Sequence, residues 1–167
     1  MAGFLDSVAG NLLGRIIGAA GRPEFCHIRS ELRNLETTVS NLKSGLRDAE
    51  EKQASDKELD DLLKQLKHAF SMADDLLEVL ECDYLKWRVQ NRKNDVDKKG
   101  FQFFSCFSSN FLVSATKTAA EINEITKTLD TIEETLSEFS LVEDENEHIK
   151  RLKSEMSLRS SITGSQV

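Results

Sequence analysis

The chain has 167 residues, enough for one compact domain and too few for two comfortable ones. Apolar residues make up 39% and charged residues 31%, with one proline and eight glycines, so the sequence lacks the turn residues that an all-β fold needs about every dozen positions. The formal net charge of −7 repels phosphate and excludes bulk nucleic-acid binding. The expected fold class is all-α.

A first helix is predicted over about 4–21. Phe4, Leu5, Val8, Ala9, Leu12, Leu13, Ile16, Ile17 and Ala20 recur at steps of three and four, and Gly21-Arg22-Pro23 closes the run. Asp6 and Arg15 are its only charges, while Gly10, Gly14 and Gly18 thin one side at about 1 kcal/mol each relative to alanine. Such a helix leans on its neighbours. It is either core or a segment able to enter a membrane after assembly.

The second helix, about 25–53, carries a narrow heptad seam of Phe25, Ile28, Leu32, Leu35, Val39, Leu42, Leu46 and Ala49. Ser55 with Glu58 reads as a capping box for a third helix over about 56–93. That helix has a broader apolar face, from Leu59, Leu62, Leu63 and Leu66 through Phe70, Leu77 and Leu80 to Tyr84 and Trp87, and so faces more than one neighbour. A loop is expected over 94–110. A fourth helix, about 111–140, bears a second seam of Ala115, Thr118, Ile122, Ile125, Leu129, Ile132, Leu136 and Phe139.

The short link between helices two and three predicts an antiparallel hairpin, and helices one and four supply partners for its two grooves. The economical arrangement over 1–145 is an antiparallel four-helix bundle. A homodimer sharing the seams competes with it. From Glu133 to Glu147 there are seven acids and no lysine or arginine. This segment and the serines that follow predict an acidic, Ser-rich connector over 146–167.

Cys26, Cys82 and Cys106 are scattered and odd in number, which suggests reduced thiols in a cytosolic setting. Three separated histidines lack zinc-ligand spacing. No apolar run of about 18 residues exists to span a bilayer, and Met-Ala-Gly-Phe-Leu-Asp lacks the cationic start of a signal peptide. The expected location is the cytoplasm. No phosphate-binding glycine loop, H-E-x-x-H or G-x-S-x-G motif is present, so neither enzyme activity nor a cofactor is expected in this chain.

Two clusters invite a partner. Asp74, Asp75, Glu78 and Glu81 form a ridge on helix three whose like charges repel at about 0.2–0.5 kcal/mol per i,i+3 or i,i+4 pair. The ridge is either an ordinary solvated face or a dock for arginines that fork onto carboxylates. Phe101, Phe103, Phe104, Phe107 and Phe111 crowd one loop. They either cap the bundle or form an exposed aromatic patch.

The order of three motifs resembles the Rx-type coiled-coil domain at the N-terminus of plant nucleotide-binding leucine-rich-repeat immune receptors. Leu46-Arg47-Asp48-Ala49-Glu50-Glu51-Lys52-Gln53 closes helix two, and Ala73-Asp74-Asp75-Leu76-Leu77-Glu78-Val79-Leu80 is similar to the family's acidic "EDVID" signature. Phe103-Phe104-Ser105, Ala120-Glu121-Ile122-Asn123-Glu124-Ile125 and Leu129-Asp130-Thr131-Ile132 are similar to its fourth helix. The resemblance runs over about residues 1–145.

It implies a non-enzymatic signalling and oligomerisation module of an intracellular receptor, with autoinhibition, self-association and cell-death signalling after effector recognition. The nucleotide-binding and leucine-rich-repeat domains would follow this chain, and ADP or ATP belongs to the former. By resemblance, Asp74, Asp75, Leu76, Leu77 and Glu78 contact basic residues of the repeat domain. The first helix, through Phe4, Leu5, Val8, Leu12, Leu13, Ile16 and Ile17, would be the output element that meets the plasma membrane on activation. Further implied partners are a host cofactor or helper receptor, and the location is cytoplasmic, moving to the plasma membrane when activated. The opening Met-Ala-Gly-Phe-Leu-Asp-Ser-Val only loosely resembles the motif of autonomous death-inducing members. The competing reading is a dimeric coiled-coil or adaptor protein.

Overall fold

The computed structural model describes residues 3–94 and 109–163. Among them there is no strand. Helix α1 (Phe4–Ala20) is followed by a 3-10 turn (Pro23–Ile28), α2 (Arg29–Lys52), a second 3-10 turn (Gln53–Ser55), α3 (Lys57–Asn94) and α4 (Ser109–Thr163). The chain divides into two compact units, Met1–Glu133 and Glu134–Val167, and α4 contributes to both.

The core of the first unit is built from the seams. Leu32, Leu35, Val39, Leu42 and Leu46 of α2 are buried, as are Leu59, Leu62, Leu63, Leu66, Phe70 and Leu77 of α3. Leu5, Ala9, Leu12 and Ile16 of α1 and Ile122, Ile125, Leu129 and Ile132 of α4 complete it. Each fully buried large aliphatic side chain contributes about 1.5–3 kcal/mol, so these stripes hold the unit together. At the α2 seam Thr38 is buried, and its hydroxyl reaches Asp130 of α4 at 2.8 Å and its own Asn34 carbonyl at 3.1 Å.

Contacts fix the relative directions of three helices. The start of α1 meets the end of α2 through Glu50, and the end of α1 meets the start of α2 through Arg29, so these two are antiparallel. Phe4 lies under Lys67, Arg15 pairs with Asp74, and Glu24 accepts a hydrogen bond from Tyr84. That order rises along both elements, so α1 and α3 run the same way.

Three expected boundaries are corrected. Helix two does not begin as α-helix at 25: Pro23–Ile28 is a 3-10 turn, with Phe25 at φ −98°, ψ 20°. Phe25 and Ile28 are both buried and stand three residues apart, a spacing that either helix type satisfies. The cap of α3 is Asp56, not Ser55. Asp56 has extended dihedrals (φ −132°, ψ 115°), and its carboxylate accepts from the Glu58 and Leu59 amides at 2.9 and 3.2 Å. Ser55 sits inside the 3-10 turn and its hydroxyl donates to the Lys52 carbonyl instead. Beyond the cap, Asp60 accepts from Lys64 and from Gln53, and these bonds hold its carboxyl below the ordinary range.

The fourth helix does not end near 140. It runs to Thr163, through most of the expected connector. No glycine or proline occurs between Gly100 and Gly164, and the acidic run is followed by bases at helical spacing, with Glu147 and Arg151 3.9 Å apart. The hydroxyls of Ser160 and Ser161 bond back to carbonyls three residues earlier. Phe101, Phe103, Phe104, Phe107 and Cys106 lie outside the described residues, and of Phe111 and Trp87 only the backbone is described.

Candidate interaction surface

The segment 74–78 lies on α3 with its two apolar members turned inward. Leu77 is buried and Leu76 half-buried, whereas Asp74, Asp75 and Glu78 are exposed. This follows from helical spacing, because Ala73, Leu77 and Leu80 lie on the core stripe and push the carboxylates to the flanks. The ridge then divides. Asp74 and Glu81 face α1 and share its Arg15, which pairs with Asp74 and stands 3.6 Å from Glu81. Asp75 and Glu78 enter no ion pair among the described residues. Met72 and Val79, both exposed, stand beside them on the same helix.

Arg15 was legible in the sequence as one of two charges on α1, but its partner was not. Nothing in spacing alone relates position 15 to position 74. The same holds for Glu50. The seam predicts Ala49 inward, yet Ala49 is only half-buried and Glu50 is 9% exposed. Its two carboxylate oxygens accept from the Gly3 and Leu5 amides at 2.8 and 2.6 Å. A carboxylate from α2 thus supplies the cap that α1 lacks locally: Gly3, at its N-terminus with φ +97°, has no capping side chain. At the other end Arg29 Nε donates to the Ala20 carbonyl at 2.9 Å. Arg29 thereby satisfies one of the orphan carbonyls at the close of α1.

The candidate output residues of α1 split by face. Leu5, Leu12 and Ile16 are buried, Val8 and Leu13 are half-buried, and Phe4 and Ile17 are 50% and 44% exposed. So α1 is core along one stripe and exposes one large apolar side chain on either flank of it. Phe4 is partly shielded by the Lys67 ammonium, 5.2 Å from its ring centroid. No helix among the described residues is long and apolar enough to cross a membrane. No cluster of three or more histidine, cysteine, aspartate or glutamate side chains suited to a metal occurs among them.

The described residues form an all-helical domain with a partly exposed first helix and a split acidic ridge on its third. Over residues 4–107 the chain matches the family model of the Rx N-terminal domain, more than half its length, and it belongs to that family. This is the non-catalytic N-terminal domain of Rx-type coiled-coil nucleotide-binding leucine-rich-repeat resistance proteins, a signalling domain in general role. No curated protein and no solved structure matches the chain.

Proposed function

We propose that this domain is the autoinhibited signalling module of an intracellular immune receptor, and that Asp75 and Glu78 dock it on a basic surface of the receptor's own leucine-rich-repeat domain. The observation that carries the reading is the division of the ridge. Two of its carboxylates are engaged by Arg15, while two stand exposed and unpaired at a like-charge spacing that a basic partner would relieve. Arginines are the fitting counterpart, since a guanidinium forks onto carboxylates. Met72 and Val79 add apolar contact beside them.

In this reading α4 completes an antiparallel four-helix bundle with α1–α3. The seams of α2 and α4 being buried within one chain, with Thr38 reaching Asp130, supports it over a dimer that shares those seams. The first helix is the output element, clasped at its start by Glu50, at its middle by Asp74 and Glu81, and at its end by Arg29. Release of those clasps on activation would free α1 for self-association or for the plasma membrane. The setting is cytoplasmic. Nucleotide binding belongs to a neighbouring domain of the receptor, and a host cofactor or helper receptor carries the signal onward.

The test separates docking from fold. The domain expressed apart from the rest of the receptor is expected to co-purify with it, and Asp75→Ala with Glu78→Ala should abolish that while leaving helicity and melting unchanged. In the full receptor the same pair should alter output at equal protein level. Unchanged co-purification and unchanged output would remove the docking role.

A further inference from the structure

In the second unit, every side chain of α4 from Asp144 to Thr163 is exposed. A helix with no tertiary burial is held by its own hydrogen-bond ladder alone, and such helices open locally at little cost. This segment is therefore reachable as a surface and, in transient openings, as extended chain. Its charge changes sign along the way. Glu143, Asp144, Glu145 and Glu147 come first, and Lys150, Arg151, Lys153 and Arg159 follow, against one further acid, Glu155.

Ser154 sits in the basic part, with Lys153, Arg151 and Lys150 one, three and four positions before it. Of the four serines between 144 and 163, it alone follows an arginine by three positions. The hydroxyls of Ser160 and Ser161 donate to helix carbonyls, whereas that of Ser154 makes no hydrogen bond among the described residues. Arg151 stands 3.9 Å from Glu147 with 81% of its side chain exposed, so that pair holds the guanidinium loosely.

Two aliphatic side chains bound the site. Ile149, five positions before Ser154, is 49% exposed, and Leu158, four positions after it, is 61% exposed. Nine positions apart, they lie on opposite sides of a helix, so no single helical seam uses both. In extended chain they stand at the two ends of one stretch of about 30 Å, with the bases and the hydroxyl between them. The acidic peptide groove of a basic-directed protein kinase takes this linear pattern, with carboxylates for the arginine and apolar pockets toward the ends.

We propose that Ser154 is a phosphoacceptor for a basic-directed Ser/Thr protein kinase. Its Oγ attacks the γ-phosphorus of ATP. The Oγ–P bond forms as the bond to the β,γ-bridging oxygen breaks, ADP leaves, and the hydroxyl proton passes to the kinase's carboxylate base. The phosphate brings a charge of about −1.5 to −2 near neutral pH, one turn from Lys150 and Arg151, and so offsets most of the basic excess around it. The site uses no residue of the Asp75–Glu78 dock and stands or falls separately from it.

Labelling of the whole chain with MgATP and a calcium-dependent, basic-directed Ser/Thr kinase tests it, with sites mapped by tandem mass spectrometry. The first phosphoryl group is expected on Ser154, and none there from an acid-directed kinase. Ser154→Ala should remove it. Arg151→Ala should lower kcat/KM about 10-fold or more, as loss of a charged hydrogen-bonding group does, and Arg151→Lys should recover part of that. Ser55, which also follows a base by three positions but donates to the Lys52 carbonyl, is expected to stay unlabelled. Label elsewhere ahead of Ser154, or a rate indifferent to Arg151→Ala, would overturn the proposal. So would an unlabelled chain. If a synthetic peptide of residues 147–160 were labelled in that case, α4 would be withholding the serine.

Discussion

Glu50 of α2 caps the start of α1 from outside that helix. Its carboxylate is nearly buried, and both oxygens accept backbone amides at the start of α1. Hydrogen bonds to a charged group contribute about 1.5–3 kcal/mol, and truncation would leave two amides without the acceptor. Glu50→Ala is therefore expected to lower stability by about 2–3 kcal/mol in urea unfolding, with faster amide exchange at Leu5 than at Leu66. Glu50→Gln should lose less, because one acceptor oxygen remains. His27 makes a pH prediction with a definite sign. Partial desolvation lowers it from its ordinary value of 6.5, and Glu31 opposes that in part. Below 6.5 the unfolded chain binds the proton more readily, so this contribution is present above 6.5 and is lost as pH falls through the folded value. His27→Gln should flatten that portion of the stability profile, measured as urea midpoints across the range. An unchanged profile would mean that desolvation does not tune this imidazole.

At the scale of the element, α1 is built to be held by others. It has no local N-cap side chain and carries interior glycines, of which Gly14 has open space where a Cβ would stand. Gly14→Ala is expected to stabilise the domain by about 0.5–1 kcal/mol, and in the receptor to reduce output if release of α1 is the signal. Leu12→Ala works the other way, costing about 2–5 kcal/mol from a fully enclosed site. Periodicity was a good guide to α1 and to the seams, because burial of an apolar stripe is a property of spacing. It was a poor guide where two structures share a spacing or where a boundary depends on dihedrals. Phe25 and Ile28 suit a 3-10 turn as well as an α-helix, and Asp56 caps α3 because it, and not Ser55, leaves helical geometry. The length of α4 was missed for a related reason. The charged run over 143–147 hides the apolar steps Ile149, Leu152 and Met156 beyond it, and no residue that would stop a helix occurs before Gly164.

For the whole molecule, the family was visible in the sequence, while the division of the acidic ridge was not. Arg15 and Asp74 are 59 positions apart, and only packing of α1 along α3 brings them together. Exposed ion pairs of this kind contribute about 0–1 kcal/mol each, so the Arg15 pair holds α1 only weakly against α3. The acidic ridge is thus divided: one pair of its acids is engaged beside α1 and the other faces outward.

The central claim, that Asp74 and Glu81 hold α1 while Asp75 and Glu78 serve a partner, is tested most directly by hydrogen exchange of the α1 amides in paired variants. Asp74→Ala with Glu81→Ala is predicted to speed exchange across α1 by up to about 5-fold, the equivalent of ~1 kcal/mol, with the α2 seam unaffected. Asp75→Ala with Glu78→Ala is predicted to leave α1 exchange at the wild-type rate. Equal acceleration by both pairs, or none by the first, would contradict the division and return the ridge to an ordinary solvated face.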